Sequence, residues 1–227
     1  MNEPKSPIVL AAALLASAPQ LHAQLSFFTS PNQTVELSGM PVGSTDVDTT
    51  TILLGGVSTE RTLTGTITTG VVPISVSGYL FDGLFGLDLG TGDRADLVLE
   101  WGAGAEMNLN LLSQGDNFSF THWLNDGVTG STVEITVWNG ATSFTAPTTT
   151  LTHGSFGGPA TTYDYLVPFS SFSGADFTDI DRVSLTLHGN TSADVALSNF
   201  SVVPEPSAAL LIGFSGSLAL FRRRRRC

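Results

Sequence analysis

Several groups of aspartates in this chain have a spacing that suits a divalent cation. The densest group consists of Asp176, Asp179 and Asp181. Sparser groups lie elsewhere, namely Asp46 with Asp48, and Asp88 with Asp93 and Asp96. Calcium takes carboxylate and carbonyl oxygens as ligands, but aspartates in turns also accept hydrogen bonds from backbone N–H groups. A structural calcium site at Asp176, Asp179 and Asp181 is therefore one hypothesis, and turn capping is the other.

Two glutamates, Glu100 and Glu134, are the acids that could support glycoside hydrolysis. That reaction needs two carboxyl groups about 5–10 Å apart, so their strands would have to be neighbours. The alternative is that both acids are solvent-facing strand residues. The histidines His122, His153 and His188 have no nucleophile elbow, HExxH motif or phosphate-binding glycine loop beside them. We therefore interpret the histidines as structural and predict that the chain is not an enzyme.

Aromatic side chains are the candidates for binding a sugar, because a flat ring offers an apolar face to a sugar ring. Trp138 lies off the parity of the apolar residues before it, so we expect it to face solvent or to begin a turn. The alternative for every candidate is a place in the core or at its rim. The candidates are Tyr79, Trp101, Trp123, Trp138 and Tyr163.

The elements that must position these side chains read as β-strands between Gln24 and Val203. Apolar and polar residues alternate there in short runs, and Asp126-Gly127 and Asn139-Gly140 predict turns. The pattern predicts an all-β domain of roughly 9 to 11 strands, a β-sandwich of jelly-roll type. The expected inward-facing residues are Leu63 and Ile67; Leu97, Leu99 and Trp101; Met107, Leu109 and Leu111; Phe118 and Phe120; Val133, Ile135 and Val137; Tyr163, Tyr165 and Val167; and Val183, Leu185 and Leu187.

The final run of the domain, residues 194–202, changes parity in the middle. A bulge near Ser198-Asn199 would turn the apolar residues on both sides of it into the core, and a strand buried on both faces is the alternative. We expect Phe27-Phe28 and Val35–Leu37 to pair with this closing strand. Such pairing would bring the start of the domain close to its end.

The charge of the 227-residue chain is unevenly distributed. The net charge is −11, but residues 24–203 hold 18 of the 20 carboxylates and only three arginines, a net charge of −15. A chain with this balance lacks the broad basic face that nucleic acid requires, which argues against nucleic acid as a partner. The single cysteine, Cys227, excludes a disulfide framework and a cysteine zinc site.

Residues 1–23 have the organisation of a signal peptide, which predicts an N-terminal signal helix and export. Lys5 supplies a positive charge, Ile8–Ala18 is an apolar run too short to span a bilayer, and Ala23 is a small residue at the cleavage position. A buried N-terminal helix is the alternative, and prolines on both sides of the run argue against it. Export would place the β-sandwich domain, residues 24–202, outside the cytoplasm.

Residues 203–227 combine Pro204, Glu205 and Pro206, a 15-residue apolar run and a cluster of five arginines. As a helix the run would reach roughly 22 Å, short of the ~30 Å hydrocarbon core. The alternatives are an ordinary tail anchor and a basic tail for nucleic acid. We predict a short hydrophobic helix held transiently in the inner membrane, because the positive-inside rule makes the arginines a stop-transfer signal: Arg222, Arg223, Arg224, Arg225 and Arg226.

This tail resembles the PEP-CTERM sorting signal of exported bacterial proteins. The resemblance implies that an exosortase, a membrane-embedded cysteine transpeptidase, recognises Pro204, Glu205 and Pro206, cleaves near them and passes the protein to the cell surface. It also implies a Gram-negative host that makes an exopolysaccharide or biofilm matrix. Cys227 departs from the pattern, and its role is open.

The domain itself resembles the jelly-roll domains common in PEP-CTERM proteins. The resemblance lies in two features. The first is the segment 179–182 (DIDR) before a strand, and the second is Asp194 at the start of a last strand that is followed directly by Val-Pro-Glu-Pro. Those domains are similar in shape to carbohydrate-binding modules. No ligand residues follow from this resemblance.

Together these features predict a non-catalytic surface or extracellular-matrix protein that is exported, sorted and cleaved at its PEP motif. The alternative is a protein like a carbohydrate-binding module that binds exopolysaccharide. A glycan-active hydrolase is the second alternative. The expected partners are an exosortase and an extracellular polysaccharide, and the expected location is the membrane first and the cell surface or the medium afterwards.

Overall fold

A computed structural model describes residues 24–125, 130–151 and 162–204 of the chain. These residues form 14 strands and one single-turn 3-10 helix, Phe169–Ser171. In chain order the strands are β1 (Leu25–Ser26), β2 (Gln33–Glu36), β3 (Thr45–Leu54), β4 (Val57–Thr69), β5 (Val76–Phe81), β6 (Leu84–Leu89), β7 (Arg94–Trp101), β8 (Asn117–Asn125), β9 (Thr132–Asn139), β10 (Thr142–Thr145), β11 (Thr149–Thr150), β12 (Tyr163–Pro168), β13 (Arg182–His188) and β14 (Val195–Val203).

The strands make two antiparallel sheets that pack face to face. The first sheet has the order β12-β8-β14-β6-β5-β2, with β1 also paired to β14. The second has the order β10-β9-β13-β7-β4-β3, with β11 also paired to β9. The prediction of an all-β sandwich is therefore confirmed. The structure has more strands than the pattern predicts, because two-residue strands such as β1 and β11 are too short to show alternation. The two predicted terminal helices lie outside the described residues.

The core between the sheets contains most of the alternating residues that the sequence predicts, together with residues of strands that it does not identify, such as Phe85 of β6. On β12 only Val167 is buried, whereas Tyr163 and Tyr165 are half-buried. The inward side chains of β7, β9 and β13 are all buried, and so are Phe118 and Phe120 of β8. Gly65 lies between Leu63 and Ile67 on β4 and faces the first sheet. A Cβ at Gly65 would lie 2.9 Å from Val35 Cγ2, so the sheets approach each other closely there.

The alternation of Met107, Leu109 and Leu111 predicts a strand over residues 106–112, but this segment is not a strand. Met107, Leu109 and Leu111 are buried as expected. However, this segment is paired only through an isolated bridge between Leu109 and Ile180. Asn108 has φ +50°, which interrupts the extended backbone. The segment therefore contributes side chains to the core as a loop.

The closing strand β14 contains the predicted bulge. Its register against β8 shifts between Ser198 and Ser201, and Asn199 has φ +57°. The apolar residues on both sides of the shift lie in the core, namely Val195, Leu197, Phe200 and Val202. The extra residue changes the parity of the strand, which keeps both halves buried on the same face.

The pairing predicted for the closing strand is right for one segment and wrong for another. Leu25 pairs with Val202, and the N–H of Phe27 donates to the carbonyl of Phe200 at 2.9 Å. The second segment, Val35–Leu37, instead lies beside β5, since β2 pairs with β5 at the edge of the first sheet. Positions 24 and 203 therefore lie side by side, as predicted.

Candidate functional site

The candidate site is the outer face of the first sheet, and its centre is Tyr79. The core-facing residues of β5 are Val76 and Leu80, so Tyr79 points to the opposite, outer side. Tyr79 is paired with Gly86 of β6, where an added Cβ would lie 2.5 Å from both the Cζ and Oη atoms of the tyrosine. The ring therefore lies across Gly86, in space that any larger residue would fill, and it remains partly exposed.

Two carboxylates act electrostatically on this tyrosine. Asp88 lies on the same strand and face as Gly86, and Asp194 directly precedes β14, where its Oδ1 accepts a hydrogen bond from the N–H of Leu89 at 3.2 Å. Burial raises the pKa of the Tyr79 hydroxyl, and the charges of Asp88 and Asp194 raise it further. Tyr79 is therefore a protonated hydroxyl at neutral pH, able to donate as well as accept a hydrogen bond.

Two further aromatic rings are exposed on this face. Phe81 follows Tyr79 on the same side of β5 and is 54% exposed, and Trp123 of β8 is 49% exposed. Hydroxyl groups lie on the same strand and face as Trp123, since Ser119 and Thr121 share its outward parity. Among the described residues this face has carboxylates but no arginine, lysine or histidine side chain. His122, the nearest candidate, faces the core and is buried.

The structure separates the other predicted aromatic candidates from this face. Trp101 is fully buried in the core. Trp138 lies on the outer face of the second sheet, where the Arg182 guanidinium lies 4.0 Å from the ring centroid. Tyr163 of β12 is stacked on His122, with ring centroids 6.3 Å apart. Of the five candidates, Tyr79 and Trp123 share the outer face of the first sheet.

Glu100 and Glu134 are not on neighbouring strands, so the premise for a hydrolytic pair is wrong. Strand β13 lies between β7 and β9, and Glu100 is opposite Ser184 whereas Glu134 is opposite Thr186. Two strand spacings and a two-residue offset place their backbones about 12 Å apart. Glu100 instead forms an ion pair with Arg182 at 3.6 Å. Burial raises the pKa of Glu100, against the opposing effect of Arg182.

The predicted calcium ligands have hydrogen-bonding roles in turns. Asp176 Oδ1 accepts from the N–H of Thr178 at 2.9 Å and from its hydroxyl at 2.6 Å, which lowers the pKa of Asp176. Asp181 accepts from the N–H of Gly140, and the carbonyl of Asp179 accepts from the side chain of Asn139 at 2.6 Å. Within the described ranges, no group of three or more acidic, histidine or cysteine side chains is placed to hold a metal ion. The calcium site stays a prediction.

The sparser aspartate groups also bind backbone or side-chain partners. Asp93 is buried and accepts from the N–H groups of Val71 and Ser75, at 2.9 and 2.8 Å. Asp46 and Asp48 lie on β3, at the edge of the second sheet, and reach across to β2, at the edge of the first. Their carboxylates accept from the N–H groups of Glu36 at 3.0 Å and Thr34 at 3.1 Å. They therefore occupy donors that an edge strand would otherwise expose.

We expect Asp48→Ala to lower the free energy of unfolding by about 1 kcal/mol and to increase self-association, because the Thr34 N–H loses its acceptor. Urea unfolding and light scattering measure the two effects. Asp48→Asn is the matched control, since its amide oxygen can still accept this bond. Equal losses in the alanine and asparagine variants would contradict this role.

Two of the predicted histidines are described, and His153 lies outside the described residues. His188 Nδ1 lies 2.9 Å from Asp96 Oδ1 on the outer face of the second sheet. The hydrogen bond to Asp96 raises the pKa of His188, partial burial opposes it, and the charges of Asp96 and Glu134 raise it further. His188 and Asp96 therefore form an ion pair when the pH is below the raised pKa of His188.

The stabilisation from protonated His188 is expected to be complete below about pH 6.5 and to fade as the pH rises through the raised pKa. Wild type should therefore exceed His188→Gln in stability by more at about pH 5.5 than at about pH 8.5. Urea unfolding at the two pH values measures this difference. Asp96→Asn should flatten the same profile, and a difference that does not vary with pH would contradict the prediction.

Most of the sorting-signal residues lie outside the described residues. These are the cleavage residue Ala23, the motif residues Glu205 and Pro206, and the stop-transfer residues Arg222 to Arg226. Strand β14 ends at Val203, and Pro204 follows it as an exposed residue. No helix in residues 24–125, 130–151 and 162–204 is long and apolar enough to cross a membrane.

Comparisons with known proteins give a fold likeness and no family. No protein-family model and no curated protein matches the chain. Similar solved structures include a family 29 carbohydrate-binding module, at 14% identity and TM-score 0.33, covering 77% of this chain and 92% of that one. A family 11 module from Clostridium thermocellum in complex with a β-1,3-1,4-mixed-linked tetrasaccharide has 14% identity and TM-score 0.34, over 78% and 98%. A family 29 module variant complexed with cellohexaose has 13% identity and TM-score 0.33, over 78% and 95%. At these values the likeness assigns no ligand to this chain.

Proposed function

We propose that this domain, a sandwich of jelly-roll type, is a non-catalytic carbohydrate-binding domain whose site surrounds Tyr79. The observation that carries the proposal is the Tyr79 ring, which lies across Gly86 beside the carboxylates of Asp88 and Asp194. An aromatic ring offers an apolar face to the C–H groups of a sugar, and carboxylates accept hydrogen bonds from its hydroxyls. The site would therefore supply both interactions that a sugar ring needs.

The site is preformed, which favours binding. Gly86 is paired on its other side with Ala196 of β14, so small residues on two adjacent strands underlie and flank the ring. Both strands lie inside the first sheet rather than on a loop. A ring held by a sheet loses little conformational freedom when a ligand binds, so less of the interaction energy is lost to ordering.

The charge of the face selects the kind of glycan. The face has carboxylates and no cationic side chain among the described residues, and the domain as a whole has a net charge of −15. Polyanionic chains such as uronate polymers would be repelled, because like charges across an interface are unfavourable. We therefore propose a neutral polysaccharide as the ligand.

Titration of the full chain with cellohexaose, the mixed-linked tetrasaccharide and β-1,4-galactotriose tests the proposal. We expect Tyr79→Ala to weaken binding at least about tenfold, because a ligand ring stacked on one aromatic side chain contributes about 1–3 kcal/mol and tenfold corresponds to about 1.4 kcal/mol. Tyr79→Phe should keep most of the affinity, because the ring face remains. Trp138→Ala, on the outer face of the second sheet, is the matched control and should bind as wild type does. Loss of binding in Trp138→Ala with normal binding in Tyr79→Ala would contradict the proposal.

A second proposal concerns sorting, and the observation that favours it is the position of the domain ends. Leu25 pairs with Val202, so residue 24 and Pro204 leave the sandwich next to each other. Cleavage after Ala23 and near Pro204-Glu205-Pro206 would then remove both flanking segments without cutting a strand. We propose that the protein is exported, held transiently by its tail, processed by an exosortase and released to the cell surface or extracellular matrix.

Mass spectrometry of the secreted or surface-bound protein tests the sorting proposal. The expected mature chain begins at Gln24 and ends near the PEP motif. A mature chain that still contains Arg222 to Arg226 would contradict processing. This result is independent of glycan binding, so the two proposals can fail separately.

A further inference from the structure

The bulge in β14 creates a gap in the first sheet. On one side of β14, β6 is the neighbour only as far as the pair Leu84–Ser198. On the same side β1 then takes over, at the pair Ser26–Ser201. Asn199 lies between these two pairs and is paired with neither β6 nor β1. Its φ of +57° interrupts the extended backbone of β14. The two neighbouring strands therefore leave an opening beside the bulge.

This opening is a polar cleft of about 410 Å³, a size typical of small-ligand sites. Its described lining consists of Gln24, Ser26, Asn199 and Ser201. All four side chains are uncharged and carry groups that can donate or accept hydrogen bonds. The cleft therefore suits a ligand that is rich in hydroxyl groups and has no net charge.

The hydrogen bonds inside the cleft hold part of this lining in place. Gln24 Nε2 donates to Ser201 Oγ at 2.5 Å, and Ser201 Oγ donates to the carbonyl of Asn199 at 3.0 Å. The side-chain nitrogen of Asn199 lies 3.4 Å from Thr121 Oγ1, which in turn donates to Asp164 at 2.7 Å. Within the described residues, the Ser26 hydroxyl and the Asn199 amide oxygen have no assigned partner. These two groups are available to a ligand.

The cleft lies on the same face as Tyr79. Tyr79 and Ala196 belong to one row across the sheet, two strands apart, and Asn199 is three residues further along β14. At the spacings of a β-sheet, Tyr79 and Asn199 are about 14 Å apart. Phe81, Leu84 and Ser198 occupy the row between them. A short linear oligosaccharide can therefore contact the ring and the cleft at once.

We propose that this cleft is a second sugar subsite, which binds a neutral sugar unit of the same chain that stacks on Tyr79. The inference rests on the proposed function and adds a length requirement to it. An oligosaccharide that reaches both subsites gains the hydrogen bonds of the cleft, whereas a disaccharide on Tyr79 does not. Affinity should therefore rise with ligand length.

The test compares cellohexaose with cellobiose, and β-1,4-galactotriose with its disaccharide, on the full chain. The variant Asn199→Gly with Ser26→Ala removes both available groups. Glycine at position 199 keeps the left-handed backbone, because it adopts positive φ without strain. Ser143→Ala, on β10 of the second sheet, is the control, and an unchanged melting temperature establishes that the variants are folded.

We expect wild type to bind the longer oligomer at least about tenfold more tightly, and the double variant to lose most of that advantage. Tyr79→Ala should weaken the long and the short oligomers alike. Equal affinity of the double variant and wild type for the longer oligomer would overturn the subsite. If Tyr79→Ala still weakened binding in that case, the proposed function would stand without the subsite. Wild type that binds neither series would overturn both.

Discussion

Replacement of Phe27 with alanine is expected to lower the free energy of unfolding by about 3–5 kcal/mol. The side chain is fully buried between the sheets. Its ring centroid lies 5.0 Å from that of Trp101 and 4.8 Å from that of Phe200. Because these neighbours belong to long strands with fixed registers, they cannot move in to fill the space. The variant should therefore contain a cavity as well as losing buried apolar surface.

Urea unfolding of wild type and Phe27→Ala measures this loss, and thermal unfolding should show a decrease of about 6–20 °C in Tm. Val72→Ala is the matched control, because Val72 is 88% exposed and its truncation should change stability by about 0.5 kcal/mol or less. A loss below about 1 kcal/mol for Phe27→Ala would contradict the packing described here. It would mean that β1 and the residues after it contribute little to the core.

Replacement of Arg61 with methionine is expected to cost about 3–5 kcal/mol of folding stability. Arg61 lies on β4 with its side chain fully buried. Its Nε donates to Gln33 Oε1 at 2.6 Å, and its terminal nitrogens donate to the carbonyls of Thr29 and Pro31. Methionine fills a similar length but donates nothing, so three acceptors would lose their partner.

The charge of Arg61 is retained at neutral pH. Burial lowers the pKa of Arg61 to about 10, against the opposing effect of Asp48. The guanidinium therefore ties the segment between β1 and β2 to the second sheet as a charged donor. Arg94→Met, at an exposed arginine, is the control for loss of a positive charge and should change stability by about 0.5 kcal/mol or less. Equal stability of the two variants would contradict the role of Arg61 as a buried tie.

The buried arginine shows how a site can be missed in the sequence. Arg61 has the parity of Leu63 and Ile67, which the alternation places in the core. The parity therefore indicates a buried arginine, but nothing in the sequence identifies its partners. Those partners are carbonyls about 30 residues away, and they become acceptors only when the first sheet packs on the second.

The candidate site could likewise be predicted only in part from the sequence. Tyr79 and Trp123 are recognisable as aromatic candidates, and the parity of β5 places Tyr79 on the outer face. Nothing in the sequence indicates that Asp194 lies near Tyr79, because more than one hundred residues separate them. The hypothesis of a hydrolytic pair at Glu100 and Glu134 was wrong because it needed β7 and β9 to be neighbours. The sequence allows that arrangement, but in the structure β13 lies between them.

The sequence by itself determined the all-β class and the inward residues of most of the strands that it identified, and it indicated a bulge at Ser198-Asn199 as one of two alternatives. These features depend on side-chain alternation, which is a property of consecutive residues. Only the tertiary structure decided which strands are neighbours. It placed Val35–Leu37 beside β5 rather than beside the closing strand, and it made residues 106–112 a loop with buried side chains. Strand order depends on contacts between distant parts of the chain, and each alternating strand can satisfy its own pattern beside many partners. For that reason the sequence indicates which faces carry chemistry, whereas the fold decides which side chains meet on them.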